Sequence, residues 1–226
     1  MIFRSLKKSY QTIMTINLGE NPWILIVLTS LEILFVILPA FISSKIEKKR
    51  FKEVIIEMGF QKNEDIIIKI IAGLGFGILF FFSSVYLMFF FRNIIIENIF
   101  GSQFVQEGQE SAISTNPISP NIVQIIFLIS LQIIIIGPCE EAFFRGFLIK
   151  KLNQKFKISL SIIISSFFFA FYHIPLFLVP LTTIVTYIGY YFSFGILLAA
   201  TFVYFDYSLI PCSIAHSCFN ILVLIL

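Results

Sequence analysis

Long apolar runs, most of them near 20 residues, are the feature that most constrains how this chain can fold. They cover residues 23–42, 66–91, 121–150, 158–174, 187–205 and 208–226. About 20 residues of α-helix cross the hydrocarbon core of a bilayer, where the helix itself satisfies the backbone hydrogen bonds. With 58% hydrophobic and only 13% charged residues, the composition excludes an ordinary soluble domain. We therefore predict an all-α, polytopic transmembrane helix bundle of about six spans, plus a short helix near residues 176–186.

The chain divides into three predicted parts. Residues 1–22 carry apolar positions at helical spacing beside basic residues, which predicts an amphipathic or interfacial segment. Residues 23–120 contain two spans and their loops, and the polar stretch at 92–120 forms the boundary. Residues 121–226 contain the remaining spans and form the third part.

Charged residues gather in the loops between spans. The loops at 43–65 and 150–157 are basic and the loop at 92–120 is acidic, so we expect the two basic loops to face the cytoplasm. No basic cluster stands apart from a span, which argues against a nucleic-acid partner. The pattern predicts a multi-pass protein of the plasma membrane or an endomembrane, in contact with lipid.

A small set of polar residues lies within the predicted spans. Ionisable groups at membrane depth cost on the order of 3 kcal/mol each and usually mark function. The set consists of Glu140, Glu141 and Arg145 in one span, the only two histidines, His173 and His216, in two others, and Asn220. These residues are the candidate functional site.

Helical spacing sorts these residues by face and depth. Arg145 follows Glu141 by four positions, which predicts an internal ion pair, whereas Glu140 points about 100° away. At 1.5 Å per residue, Glu140 and His216 each lie roughly 15 Å inside the membrane and His173 roughly 18 Å. We expect these three groups and Asn220, which follows His216 by one helical turn, to converge on one cavity.

Three motifs resemble those of the CAAX prenyl protease type 2 family, which includes the CPBP (Abi) membrane proteases. The stretch from Glu140 to Arg145 resembles the EExxxR motif, Phe169 to His173 the FxxxH motif, and His216 to Asn220 the HxxxN motif. Their order and spacing agree with the family over residues 121–226.

The resemblance implies an intramembrane endopeptidase whose substrate is a peptide or protein, with a lipidated C-terminus among the candidates. It implies that Glu140, helped by His173, activates water. His216 and Asn220 would hold the oxyanion, and Glu141 with Arg145 would brace the site.

Zinc bound by Glu140, His173 and His216 is the alternative mechanism, because two imidazoles and a carboxylate can leave an open metal position. We favour a mechanism without a cofactor. If Glu140 bound zinc, only Glu141 would remain as the general base, and Glu141 is expected to pair with Arg145. A transporter and a non-catalytic membrane adaptor are the two rival functional classes. Glu32 and Lys69 are expected to be interfacial charges without a role.

Overall fold

The computed structural model describes residues 22–60, 64–111 and 120–226, and every regular element in these ranges is helical. The helices are α1 (residues 22–46), α2 (Phe51–Glu57), α3 (Ile66–Phe100), α4 (Ser102–Glu110), α5 (Ile122–Asn153), α6 (Ile158–His173), α7 (Leu181–Tyr204) and α8 (Leu209–Ile225). The interfacial segment predicted for the N-terminus falls on residues 1–21, outside the described residues.

Four of these helices are long and apolar enough to cross a membrane. They are Ile26–Ile46 of α1, α3, α5 and α7, while α6 and α8 are apolar but have 16 and 17 residues. Large apolar side chains point outward, such as Ile67, which is 74% exposed. Such an extensive apolar surface is stable in contact with lipid and not with water. The chain is therefore an integral membrane protein with the predicted all-helical bundle.

Helix α5 lies at the centre of the bundle. It packs against α1, α6 and α8, while α6 also packs against α7 and α8 against α3. Most of the fully buried large side chains come from α5 and α7, including Phe144, Arg145, Ile149, Leu198 and Phe202. The helix that carries three of the predicted site residues is therefore also the one that organises the core.

Glycines let α3 approach α8 closely. A Cβ on Gly73 would lie 2.8 Å from the carbonyl oxygen of Pro211, and one on Gly77 would lie 2.8 Å from that of Ala215. Small residues at helix interfaces allow such close contact between backbones in membranes. This contact positions α8, and with it His216 and Asn220.

The structure corrects two predicted boundaries. Arg92 does not end the second span, because α3 continues through a π-helical segment, Phe90–Ile96, to Phe100. No separate helix covers residues 176–186: residues 176–178 form a turn, and α7 begins at Leu181 directly after Pro180. No proline or glycine interrupts the chain between Leu181 and Tyr187, so the first turns of α7 continue into the span.

The two basic loops lie on the same side of the bundle, as predicted. Lys151 near the end of α5 forms an ion pair with Glu47 after α1, and Lys150 Nζ donates to the carbonyl oxygen of Glu57 at 2.9 Å. On the opposite side, Thr183 Oγ1 donates to the carbonyl oxygen of Gly108, which fixes α4 against the start of α7.

Candidate active site

Local irregularities in α5 and α6 surround the predicted site residues. In α5, π-helical segments at Gln132–Ile136 and Ala142–Ile149 flank the turn Gly137–Glu141, where Pro138 lacks a backbone donor. One carbonyl near this turn, that of Gln132, accepts a hydrogen bond from Ser217 Oγ of α8 at 2.6 Å. Such π-bulges frequently occur at functional sites.

Helix α6 ends inside the bundle at His173. Pro175 disfavours helical geometry for the residue before it, so Ile174 leaves the helix and His173 becomes its last residue. The imidazole therefore lies at the end of a helix that packs against the π-helical segment Ala142–Ile149 of α5.

Glu140 and the two histidines converge, as the depth argument predicts. Oε2 of Glu140 lies 3.9 Å from Nε2 of His173 and 3.9 Å from Nε2 of His216. One ligand-type atom from each residue lies within 4.8 Å of the other two. Glu140 and His216 are each only 3% exposed. The separations are too long for direct hydrogen bonds and leave room for a bridging group.

The second ring nitrogens of the two histidines face different partners. Nδ1 of His173 lies 3.0 Å from the carbonyl oxygen of Phe169, and Nδ1 of His216 lies 2.8 Å from Oε1 of Glu141. Both partners only accept hydrogen bonds, so both Nδ1 atoms carry protons and both Nε2 atoms face Glu140. The carbonyl oxygen of Phe169 holds His173, whereas the carboxylate of Glu141 holds His216.

The predicted ion pair between Glu141 and Arg145 is present and fully buried. Arg145 Nη1 lies 2.9 Å from Oε1 of Glu141, and Nη2 donates to the carbonyl oxygen of Gly195 at 3.1 Å. The guanidinium group lies 4.5 Å from the centre of the Phe169 ring. Oε1 of Glu141 thus joins Arg145 to His216, and the pair fixes α5 against α7 and α8.

Asn220 opens onto the same cavity as the histidines. Its Nδ2 donates to Oε1 of Gln132 at 2.9 Å, and an amide nitrogen carries a second hydrogen that this contact does not use. The cavity measures about 250 Å³ and is lined mainly by apolar and aromatic side chains. Its lining consists of Phe80, Phe169, His173, Tyr190, Tyr191, Phe194, Leu198, His216, Phe219, Asn220 and Val223.

Two residues next to the site, Gln132 and Glu32, were not predicted from the sequence as part of it. Gln132 holds Asn220, and no local spacing relates the two. Glu32, expected to be an interfacial charge, instead lies in a 3-10 turn of α1, Leu31–Ile33, that packs beside Gly137–Glu141. The hydroxyl group of Tyr172 donates a hydrogen bond to Oε1 of Glu32 at 3.4 Å. The position of Glu32 as the one acid within an apolar span was the available signal.

The residues present fit a metal ion by chemistry and by geometry. Two imidazoles and a carboxylate form a zinc ligand set, and Oε2 of Glu140 is buried without a hydrogen-bond partner among the described residues. A carbonyl or carboxylate that orients a ligating histidine through its other nitrogen is typical of metal sites.

Comparison with known proteins identifies the segment that carries this site. The sequence model described as Rce1-like, type II CAAX prenyl endopeptidase, matches residues 122–222. Neither the comparison with curated proteins nor that with solved structures gives a match. All of the predicted site residues lie within the matched segment. Residues 122–222 of this membrane protein are therefore similar to the Rce1-like family of type II CAAX prenyl endopeptidases.

Proposed function

We propose that the chain is an intramembrane endopeptidase that hydrolyses a peptide bond with a water activated by Glu140 and His173. The convergence of Oε2 of Glu140 with the two histidine Nε2 atoms, each at 3.9 Å, is the observation that carries this proposal. A water oxygen between these atoms can contact all three, and a general base must lie within one hydrogen bond of the proton it removes.

The different partners of the histidines support different roles. His173, held by the carbonyl oxygen of Phe169, keeps a lone pair on Nε2 and accepts a proton from water together with Glu140. His216, held by Glu141 through Nδ1, would donate a hydrogen bond from Nε2 to the oxyanion. Asn220 would supply the other donor through its unused amide hydrogen.

The reaction balances with these groups alone. The water oxygen forms a bond to the scissile carbonyl carbon, and its proton passes to Glu140 or His173. Collapse of the tetrahedral intermediate breaks the C–N bond, and the same group returns the proton to the leaving amine. Glu141 and Arg145 hold His216 in place without exchanging protons with the substrate.

The cavity and the family together indicate the substrate class. Aromatic side chains line the cavity next to His173, His216 and Asn220, so it favours an apolar segment of the substrate. The family description names prenyl endopeptidases, and we propose a peptide with a lipidated C-terminus as the first substrate to test.

Zinc-dependent hydrolysis is the second candidate, favoured by the ligand atoms of Glu140, His173 and His216 lying within 4.8 Å of one another. These residues would hold the ion, which would supply a Lewis acid and lower the pKa of its bound water. The proton on Nε2 of His216 separates the candidates, because an imidazole that donates to an oxyanion cannot also ligate a metal.

The test uses purified protein in lipid vesicles with prenylated and unprenylated C-terminal peptides, and mass spectrometry of the products. We expect cleavage of one peptide bond by the wild-type chain and none by folded Glu140→Ala. An absence of Glu140-dependent cleavage would contradict the proposal and favour a transporter or an adaptor.

Metal analysis of the same active sample separates the two mechanisms. The metal-free mechanism predicts substoichiometric zinc and full activity after chelation. Stoichiometric zinc whose removal abolishes cleavage, and whose return restores it, would establish the second candidate.

A further inference from the structure

A second cavity, of about 330 Å³, lies on the basic side of the bundle between α2 and the end of α5. It shares no lining residue with the cavity that holds the histidines. Three lysines take part in its lining, which consists of Lys49, Val54, Glu57, Met58, Gly146, Phe147, Lys150, Lys151 and Gln154. The proposed hydrolysis gives this cavity no role.

The three lysine ammonium groups outnumber the carboxylates that contact them. Lys49 Nζ lies 3.0 Å from Oε2 of Glu47 and 2.7 Å from Oε1 of Glu57. Lys151 Nζ also forms an ion pair with Glu47. Two carboxylates therefore neutralise three cations only in part, and one positive charge is left at the cavity.

The remaining charge belongs to Lys150. Its Nζ donates to the carbonyl oxygen of Glu57 at 2.9 Å and lies 5.7 Å from the centre of the Phe202 ring. Both partners are neutral, and none of the ion pairs between described residues includes Lys150. An ammonium group carries three N–H donors, so an anion in the cavity can accept those that the carbonyl oxygen leaves unused.

The cavity lies at the depth of the lipid phosphate groups. Lys49 follows the apolar span Ile26–Ile46 closely, and the other two lysines lie in the last turn of α5, where a second span ends. Helix α2 exposes Phe51 and Ile56 beside charged residues, which is typical of a helix at the membrane interface. The headgroups of a bilayer begin where its hydrocarbon core ends.

Apolar side chains shield the inner wall of the cavity from water. Val54 and Met58 are fully buried, and Lys151 Nζ lies 5.8 Å from the centre of the Phe147 ring. Charges interact more strongly in such surroundings than in bulk water. The wall therefore strengthens the attraction of the lysines for an anion.

We propose that this cavity binds the phosphate group of an anionic phospholipid, with Lys150 as its main donor. Lys49 and Lys151 surround the phosphate, and the acyl chains follow the apolar end of α1, where Ile42 and Ile46 are exposed. Basic residues at the end of a span attract anionic lipids in this way. A bound headgroup links α1, α2 and α5 on the side away from α4.

Thermal unfolding of the full chain in detergent measures the binding without any activity. The probes are phosphatidylglycerol, phosphatidylcholine with the same acyl chains, and inorganic phosphate. At about tenfold excess over Kd, phosphatidylglycerol should raise Tm by about 3–6 °C, and the other two by less than about 1 °C. Equal shifts with the two lipids would overturn the preference for an anionic lipid. A shift with inorganic phosphate as large as that with phosphatidylglycerol would overturn a lipid as the ligand.

Two variants of the cavity test where the lipid binds. Lys150→Gln removes the unneutralised charge, and Gln154→Glu places a carboxylate in the lining while all three lysines stay. Each should lose at least about two thirds of the Tm shift that phosphatidylglycerol causes. The matched controls are Lys155→Gln and Asn153→Asp, which change exposed residues outside the lining and should keep the full shift.

The variants also define the contrary result. A full phosphatidylglycerol shift in folded Lys150→Gln or in folded Gln154→Glu would overturn the site. If Lys150→Gln fails to fold, Gln154→Glu and its control Asn153→Asp decide, because neither substitution removes a lysine contact.

Discussion

At the scale of single residues, Oε1 of Glu141 joins the structural and the chemical parts of the site. It lies 2.9 Å from Arg145 Nη1 and 2.8 Å from Nδ1 of His216. The i, i+4 spacing predicts the first contact, and the second arises only when α8 packs against α5. A residue that is adjacent in sequence to the proposed base therefore has a different role, because it is turned towards a different pair of helices.

Replacing Arg145 tests this structural role. Arg145→Ala should reduce stability by about 3–5 kcal/mol, because Glu141 would remain as a buried, uncompensated charge. The measurement is thermal unfolding in detergent. Arg50→Ala is the matched control, since its ion pair with Glu53 is exposed and should contribute less than about 1 kcal/mol. Equal stability of Arg145→Ala and the wild type would contradict the role.

Replacing Asn220 tests the proposed oxyanion donor. Asn220→Ala should lower kcat about 10²- to 10³-fold, the usual effect of losing one such donor, with KM little changed. Asn153→Ala, an exposed asparagine at the end of α5, should leave kcat unchanged. A folded Asn220→Ala with kcat within threefold of the wild type would remove Asn220 from the mechanism.

At the scale of helices, close packing of α3 on α8 positions His216 and Asn220 relative to α5. Gly77 faces α8, where an added Cβ would lie 2.6 Å from Cβ of Cys218 and 2.8 Å from the carbonyl oxygen of Ala215. Gly75 lies two residues before Gly77 in the same helix, and no atom lies within 4 Å of a Cβ added there. The two glycines therefore differ only in what they face.

Alanine at these two positions should have opposite effects. Gly77→Ala forces α3 away from α8 and should destabilise by about 1–3 kcal/mol. Gly75→Ala should be neutral or slightly stabilising, because alanine favours helix over glycine. Thermal unfolding of both variants in detergent measures the difference. Equal effects of the two substitutions would show that the α3–α8 contact is looser than described.

Outside the membrane, Glu47 ties the end of α1 to the end of α5. Hydrogen bonds from Lys151, Ser43 and Lys49 lower its pKa from an ordinary 4.5 to about 2. The folded state therefore binds the Glu47 proton less tightly than the unfolded state, and the stabilisation is complete above pH 4.5 and declines as pH falls towards 2.

The substitution Glu47→Gln tests this electrostatic contribution to stability. At neutral pH the substitution should cost about 1 kcal/mol, since the group is partly solvent-screened. The difference from the wild type should shrink between pH 4.5 and pH 2, as chemical or thermal unfolding at several pH values would measure. A difference independent of pH would mean that the cost comes from lost packing alone.

At the scale of the whole molecule, the sequence predicts the bundle well because the bilayer imposes helix length and apolar composition. It also predicts that Glu140, His173 and His216 come together, since ionisable groups are costly at membrane depth and tend to face the protein interior. It does not predict the rotation of α1 against α5 or of α8 against α5, because those depend on side-chain packing between distant segments. For that reason the position of Glu32 beside the turn Gly137–Glu141, and the contact of His216 with Glu141, emerge only in the structure.

The central claim is that Glu140 and His173 act together on one water. A cycle of kcat/KM values for wild type, Glu140→Gln, His173→Gln and the double variant tests it most directly, on one peptide in lipid vesicles. Residues that act as a unit are strongly non-additive, so each single substitution should cost at least about 10²-fold and the double variant no more than the worse single. Losses that multiply in the double variant, or a single variant within threefold of the wild type, would contradict the claim.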